Sequence, residues 1–405
     1  MPRVTLVSFA GRGNAGDDLP LLGTAGAVRA LAPDLDVTAV VAASEPLRAF
    51  LHPDVRTAES PLRTLEAAVG PSHEGHGRRA ARAADRLLRA ALDRDADVPA
   101  PVRDSVEAVR AADLVLFVGG GYLSDRWPLG LAVASMLGNA ASRSGVPYSL
   151  FGHSVGPFEH GGPLPRALHL LHGAERIAIR EPRSSWEVAA LLRGRQAQLL
   201  GDPALLVPRP APPAEWPARV LANFRGVRKL AEYRKEPDEP ALTLSDGVYM
   251  AARQLRAEVC FVEAGAEPAF DDGTGNRTVD AGLLANVPRG AAVAYAGGRL
   301  DLPPASVLIS TRHDMCAWAL GNGLPAVGVA LTPHDRHELR GLMDLFGRPD
   351  WVWVPEAEYG VHDLSGRATQ AAADPNRAQL RETADGLAEK QRAWLADLLQ
   401  KLTTA

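Results

Sequence analysis

The chain predicts an α/β protein built from two doubly wound, Rossmann-like domains facing a cleft, and three observations carry that expectation. Short apolar runs alternate with helical stretches through both halves of the chain, the pattern of a parallel sheet covered by helices on both faces. Five prolines fall within the eleven residues 207–217, a stiff, extended connection that suits neither a helix nor a central strand. The 405 residues also exceed the ~250–300 at which one hydrophobic core stops growing.

In the first half, residues 4–9, 37–42, 114–118, 147–151, 176–179 and 196–200 are short runs rich in Val, Ile, Leu and Phe and read as strands. Helices are expected after Leu19, Val102, Leu129, Pro163 and Pro182. Residues 71–97 interrupt this order with arginines and alanines and read as a solvated helix or insertion whose arginines are surface charges. After the proline-rich stretch a second series begins. Strands are expected at 219–223, 258–262, 291–295, 306–309 and 325–329, and helices at 244–256, 279–285, 314–320 and 336–346. Residues 376–405 close the chain as an amphipathic helix, with Leu380, Leu387, Trp394, Leu395, Leu398 and Leu402 near one stripe. The expected division is therefore 1–206, a linker at 207–217, 218–375, and the closing helix.

Composition narrows the function classes. Hydrophobic residues make up 46% of the chain, enough for two cores, and the net charge of −4 makes no electrostatic case for nucleic acid or an anionic membrane. Cys260 and Cys316 are the two cysteines; they form no disulfide framework and suit a reducing compartment. No zinc-like Cys/His spacing is present, so no metal is expected. The first residues read as a strand rather than a signal peptide, and no run of ~18 apolar residues is available to span a bilayer. These features point to a soluble, cytoplasmic protein.

The most informative stretch is Leu308 to Pro325. Leu308 and Ile309 read as the end of a buried strand, Ser310 and Thr311 as helix caps, and the following residues as a helix stopping near Gly321 or Gly323. Arg312 would then lie at a helix N-terminus, where backbone N–H groups favour an anion and a guanidinium adds a bidentate clamp. Pairing of Arg312 with Asp314 is the competing structural reading. Arg180, in Ile177-Ala-Ile-Arg-Glu-Pro-Arg-Ser-Ser185, repeats the strand–arginine–helix order, with a surface pair to Glu181 as its structural alternative. Two such arginines, one in each domain, would hold a doubly charged anion between them.

Three glycine-containing segments follow strands. In Gly11-Arg-Gly-Asn-Ala-Gly-Asp-Asp18 the glycines allow a sharp turn and close approach, while Asn14 and Asp17 brace the loop or cap the helix. Gly11, Gly13 and Gly16 match dinucleotide spacing, yet the second strand does not end in the acidic residue that would hold a ribose. Gly119-Gly-Gly-Tyr-Leu-Ser-Asp125 suggests close approach by a ligand or another backbone; Gly119, Gly120, Gly121 and Tyr122 are its candidates, and Asp125 is either an acid/base group or a cap. Phe151-Gly-His-Ser-Val-Gly-Pro157 brings His153 to the same edge as a proton-transfer candidate, and it also has nucleophile-elbow spacing around Ser154. Pro157 argues against the helix an elbow needs.

In order and spacing, Gly13-Asn-Ala-Gly-Asp17, Ala112-Asp-Leu-Val-Leu-Phe-Val-Gly-Gly-Gly121, Gly152-His-Ser-Val-Gly-Pro157, Ile179-Arg-Glu-Pro-Arg-Ser184, Gly201-Asp-Pro-Ala204 and the Ser310–Pro325 segment resemble the polysaccharide pyruvyl transferase family, whose fold is GT-B-like. The resemblance implies transfer of a pyruvyl group from phosphoenolpyruvate, as co-substrate and without another cofactor, to a sugar hydroxyl as a ketal. It implies that Arg312, Arg180 and Thr311 bind the anionic donor, that His313, Asp314 or His153 serve catalysis, and that Gly13, Asn14, Gly16, Asp17, Gly119, Gly120, Gly121 and Tyr122 line the acceptor side. The family's late motif is Arg-x-His; here Arg312 matches the arginine, Asp314 takes the histidine position and His313 lies between them. His153 stands where glutamine is more usual, and Thr332-Pro-His-Asp-Arg336 replaces a tyrosine and a downstream lysine. Two other readings stand beside this one: a GT-B nucleotide-sugar glycosyltransferase, and a binding homologue without turnover.

Overall fold

The computed structural model describes residues 1–69, 76–93, 97–159, 161–224, 239–263, 288–293, 295–296, 299–355 and 361–403. The chain forms two compact units: residues 1–12, 17–207 and 388–405, and residues 13–16 with 208–387.

The first unit contains β1 (Arg3–Val7), α1 (Ala15–Leu31), β2 (Asp36–Val41), β3 (Val55–Glu59), α2 (Leu62–Val69), α3 (His76–Leu92), α4 (Ala100–Arg110), β4 (Leu114–Leu123), α5 (Pro128–Arg143), β5 (Tyr148–Val155), α6 (Leu164–Gly173), β6 (Ile177–Ile179), α7 (Pro182–Leu191) and β7 (Gln198–Leu199). Its sheet runs β3-β2-β1-β4-β5-β6-β7, and every pairing is parallel. Alternation along β4 explains the layers. Val115 and Phe117 join the core under α2 to α6, whereas Leu114, Leu116 and Val118 join the core under α1 and the C-terminal residues. A parallel sheet buried on both faces needs apolar side chains in both directions, so such strands read as continuous apolar runs. The second core includes Trp394, stacked on Phe151 with ring centroids 5.2 Å apart.

The second unit contains β8 (Arg219–Asn223), α8 (Glu239–Leu255), β9 (Glu258–Glu263), β10 (Arg289–Val293), β11 (Tyr295–Ala296), β12 (Arg299–Leu300), β13 (Val307–Ser310), α9 (His313–Gly321), β14 (Ala326–Val329), α10 (Pro333–Leu345), β15 (Val352–Trp353) and α11 (Val361–Ala372). Its main sheet is β10-β9-β8-β13-β14-β15, with β11 and β12 as a separate pair; the main sheet is again parallel throughout. The last helix, α12 (Arg377–Thr403), is shared: residues to Leu387 group with the second unit and those from Ala388 with the first. It starts just after Asp374, whose carboxylate accepts from the Asn376 N–H at 2.8 Å and from Arg348 at 2.6 Å. Among the described residues no helix is long and apolar enough to cross a membrane.

Both sheets are doubly wound. Strand order reverses between β1 and β4 in one and between β8 and β13 in the other, and ligands of such sheets bind beyond the carboxyl ends of the strands at that reversal. The sequence missed β3 and β15, which are short and lie at sheet edges, and α11, whose centre carries Ser365 and Gly366. It also ended β4 too early: pairing with β5 continues past the glycines through Gly120 to Leu123. The helix expected at 279–285 lies outside the described residues.

Gly152 illustrates how tightly the first sheet is packed. Its φ is +72°, and a Cβ there would lie 2.2 Å from the Pro203 ring. Gly152→Ala should therefore destabilise the protein by about 2–4 kcal/mol, combining left-handed strain with overpacking. Denaturant unfolding checks this, and a change below 0.5 kcal/mol, the ordinary range for surface substitutions, would show that the site relaxes.

Candidate active site

In the second unit, three neighbouring strand ends are tied together by one side chain. Asn223, buried at the end of β8, donates its amide to Val262 O on β9 at 2.7 Å and faces Ser310 Oγ on β13 at 3.2 Å. The Asn223 backbone carbonyl accepts from Thr311 N at 3.1 Å. Ser310 Oγ in turn accepts from Arg312 N at 3.0 Å. The cap differs from the expectation: Arg312, not Ser310 or Thr311, is the N-cap residue of α9, with φ −108° and ψ 128°. Ser310 instead shapes the turn that delivers the arginine. Sequence reading missed Asn223, because a polar residue closing an apolar strand carries no local signal of what it bonds.

Arg312 is 1% exposed. Its Nε donates to Asp314 Oδ1 at 3.2 Å and its Nη2 to Asp314 Oδ2 at 2.8 Å. Nη2 also donates to Asn14 Oδ1, which accepts from Gly16 N at 3.3 Å. Gly16 has a steric reason to be glycine, since a Cβ would come within 3.1 Å of the Asp314 carboxyl carbon. The structural pairing of Arg312 with Asp314 is thus present, and Asn14 joins it. His313, also buried, opens α9. One turn on, burial and the Asp314 charge push the Cys316 thiol up against a smaller lowering by its bond to Ser310, which keeps it protonated and unreactive. At the end of β14, Thr332 caps α10 in a reciprocal capping box with Asp335, and His334 faces Glu338 at 3.3 Å.

The first unit places the remaining candidates differently. Gly11 N donates to Asp18 Oδ1 at 2.7 Å, so Asp18 braces the loop from its helix side, with Asp17 beside it in α1. Gly13 has φ +66°. Gly119, Gly120 and Gly121 lie inside β4 rather than in a loop after it. A Cβ on Gly119 would meet Gly152 O, Pro20 and Pro203 at 3.2–3.4 Å, so this glycine admits backbone and proline. Tyr122 is buried in the core, edge-on to Phe9 and His153; burial and Asp17 raise its hydroxyl well above the phenolic range.

His153 is completely buried in β5, with Nε2 and the Tyr122 hydroxyl 2.5 Å apart. Burial, helped by the Arg180 charge, lowers its pKa to about 3, so the ring is neutral at physiological pH. Arg180 is buried rather than at the surface. Its Nε donates to Ser154 Oγ at 2.6 Å and its Nη1 to Asp202 Oδ2 at 3.0 Å. Glu181 is buried as well and caps α7, accepting from Ser184 N at 2.8 Å. Asp202, in the Gly201-Asp-Pro-Ala204 motif, also accepts from Ala204 N at 2.8 Å. The elbow spacing around Ser154 fails structurally, because Ser154 lies within β5 and the next helix, α6, starts only at Leu164.

The polysaccharide pyruvyl transferase model matches residues 14–255, which hold the motifs around Asn14, Gly119, His153, Arg180 and Asp202 and end before the Arg312 segment. The chain belongs to that family. It is accordingly a transferase. Solved structures agree on the fold. A candidate UDP-N-acetylglucosamine 2-epimerase of Listeria monocytogenes aligns over 100% of this chain and 97% of its own, with TM-score 0.60 and 13% identity. Arabidopsis thaliana UGT89C1 aligns over 99% of both chains, with TM-score 0.56 and 12% identity. Acinetobacter baumannii MurG covers 99% of this chain and 100% of its own, with TM-score 0.53 and 14% identity. At these identities the likeness concerns the architecture of two Rossmann-like, GT-B-like domains. A comparison with curated proteins finds no match to the chain.

In this pyruvyl transferase family member His153 should make stability pH-dependent. Its pKa falls from 6.5 in the unfolded chain to about 3 in the fold, so its contribution is complete above about pH 6.5 and is lost as pH falls towards 3, at up to about 1.4 kcal/mol per pH unit. His153→Gln should flatten the dependence of unfolding free energy on pH between 6.5 and 4. Denaturant unfolding of both proteins tests this; identical slopes would mean that His153 takes up a proton in the native state.

Proposed function

We propose that the protein transfers a pyruvyl group from phosphoenolpyruvate to the hydroxyls of a sugar or sugar-like acceptor. One observation carries this reading: Arg312 is buried at the carboxyl end of β13, beside β8 where strand order reverses, with its orientation set by Asp314 and Asn14. The α9 N-terminus adds its partial positive charge at the same place. A guanidinium held in this way is suited to the carboxylate or phosphate of the donor, because its ordering cost is met before the ligand arrives.

Ketal formation needs a proton on the methylene carbon and two hydroxyl oxygens on the adjacent carbon. In the scheme, His313 protonates the methylene, converting it to a methyl group, while an acceptor hydroxyl adds to C2 and gives up its proton to regenerate the acid. Phosphate leaves, a second hydroxyl closes the ketal, and that hydroxyl's proton departs with the phosphate. Asp314, which the family motif would have as histidine, orients Arg312 here. His153, neutral and enclosed within β5 of the first unit, takes no proton in the scheme. No metal or further cofactor is called for.

Calorimetric titration with phosphoenolpyruvate tests the reading. Arg312→Ala should weaken binding at least 10-fold, in line with about 1.5–3 kcal/mol for a charge-assisted hydrogen bond, and Asn14→Ala about five-fold. Arg312→Lys, which keeps the charge, guards against loss of folding, with a thermal melt beside each titration. An unaltered affinity in Arg312→Lys and Arg312→Ala, no binding by the wild type, or displacement of the donor by uridine diphosphate would sink the proposal; the last result would favour a nucleotide-sugar donor.

A further inference from the structure

Helix α3 carries an exposed charge array outside the proposed chemistry, in which Arg89 Nε donates to Asp85 O at 3.3 Å. Arg78, Arg79, Arg82, Arg86 and Arg89 are all exposed. At about 100° per residue they fall within an arc of about 100°, spread over about 16 Å of helix axis. The opposite side, through Ala80, Ala84, Leu88 and Ala91, is buried in the core of the first unit. The helix's one acid, Asp85, is paired with Arg166 at 2.7 Å.

We propose that this face docks the protein on an anionic phospholipid surface. Four to eight basic residues on one amphipathic helix are the composition that such surfaces attract. All five are arginines, which bind phosphate oxygens bidentately. No Phe, Tyr or Trp lies between His76 and Leu92, so the helix has no aromatic platform of the kind on which successive bases of a single strand stack. The array is a convex face of a single helix, matched to a flat surface rather than to a strand lying in a groove. The apolar residues at its rim, Ala81, Leu87 and Ala90, are themselves half-buried, so contact is by adsorption and is reversible. The whole-chain charge of −4 opposes association at long range, but it is screened beyond about 8 Å at physiological salt, and within that distance the arginine face dominates.

Co-sedimentation of the full-length protein with vesicles tests the proposal, comparing an equimolar phosphatidylcholine–phosphatidylglycerol mixture with phosphatidylcholine alone. Binding is expected to the mixed vesicles only, and to be lost in about 0.5 M salt. Each neutralised arginine should weaken it about five-fold, so Arg82→Gln combined with Arg86→Gln should lose about 25-fold with an unchanged thermal melt, both residues being exposed. Equal binding to phosphatidylcholine alone, undiminished binding by the double variant, no binding by the wild type, or tighter binding to a single-stranded oligonucleotide or an acidic protein would each overturn it.

Discussion

Parallel strands bring all their carboxyl ends to one edge of the sheet, and any polar or charged group delivered there must find partners inside the protein. Both sheets obey this constraint, and the candidate site follows from it. A buried guanidinium without a partner costs several kcal/mol; Arg312 meets that requirement through Asp314 and Asn14, and Arg180 meets it through Asp202 and Ser154. Asn223 does the same for backbone and hydroxyl groups, satisfying β9 and β13 from the end of β8. These bonds leave little freedom in how the arginines point, which is the condition a preorganised anion site requires.

The two arginines look alike as strand–arginine–helix motifs, yet their surroundings separate them. Arg312 is itself the N-cap of the following helix. Arg180 leaves that position to Glu181 and turns to the Gly201-Asp-Pro-Ala204 motif. The histidines diverge as well: His153 is part of a strand and held neutral by burial and a nearby cation, whereas His313 opens a helix next to Arg312. Residue type names the chemistry that is available, and the local dielectric and charge decide whether it is used.

Glycine and net charge give the same lesson. Gly119 and Gly152 match the spacing of ligand-binding turns, but the space a side chain would need is taken by Pro203 at Gly152 and by Gly152 O, Pro20 and Pro203 at Gly119. Gly16 is small because Asp314 is near, and that observation belongs to the site. The overall charge of −4 hides five exposed arginines on one side of α3, since a sum over the chain discards the direction in which charges point.

Much of the architecture was legible in the residues alone. Alternating apolar runs and helical stretches give two doubly wound sheets, because burial on both faces demands unbroken apolar strands, and the motif order places the chain in its family. The short edge strands β3 and β15 were not legible, because two to five residues at a sheet edge carry too little pattern to compete with loop chemistry. Within the site, Arg312 and Asp314 were legible as neighbours two positions apart. The joining of Asn14 to them from almost 300 residues away, the hidden role of Asn223, and the neutral state of His153 were decided by the tertiary structure. Hydrogen-bond partners distant in sequence, and the burial that shifts a proton equilibrium, exist only once the chain has closed around them.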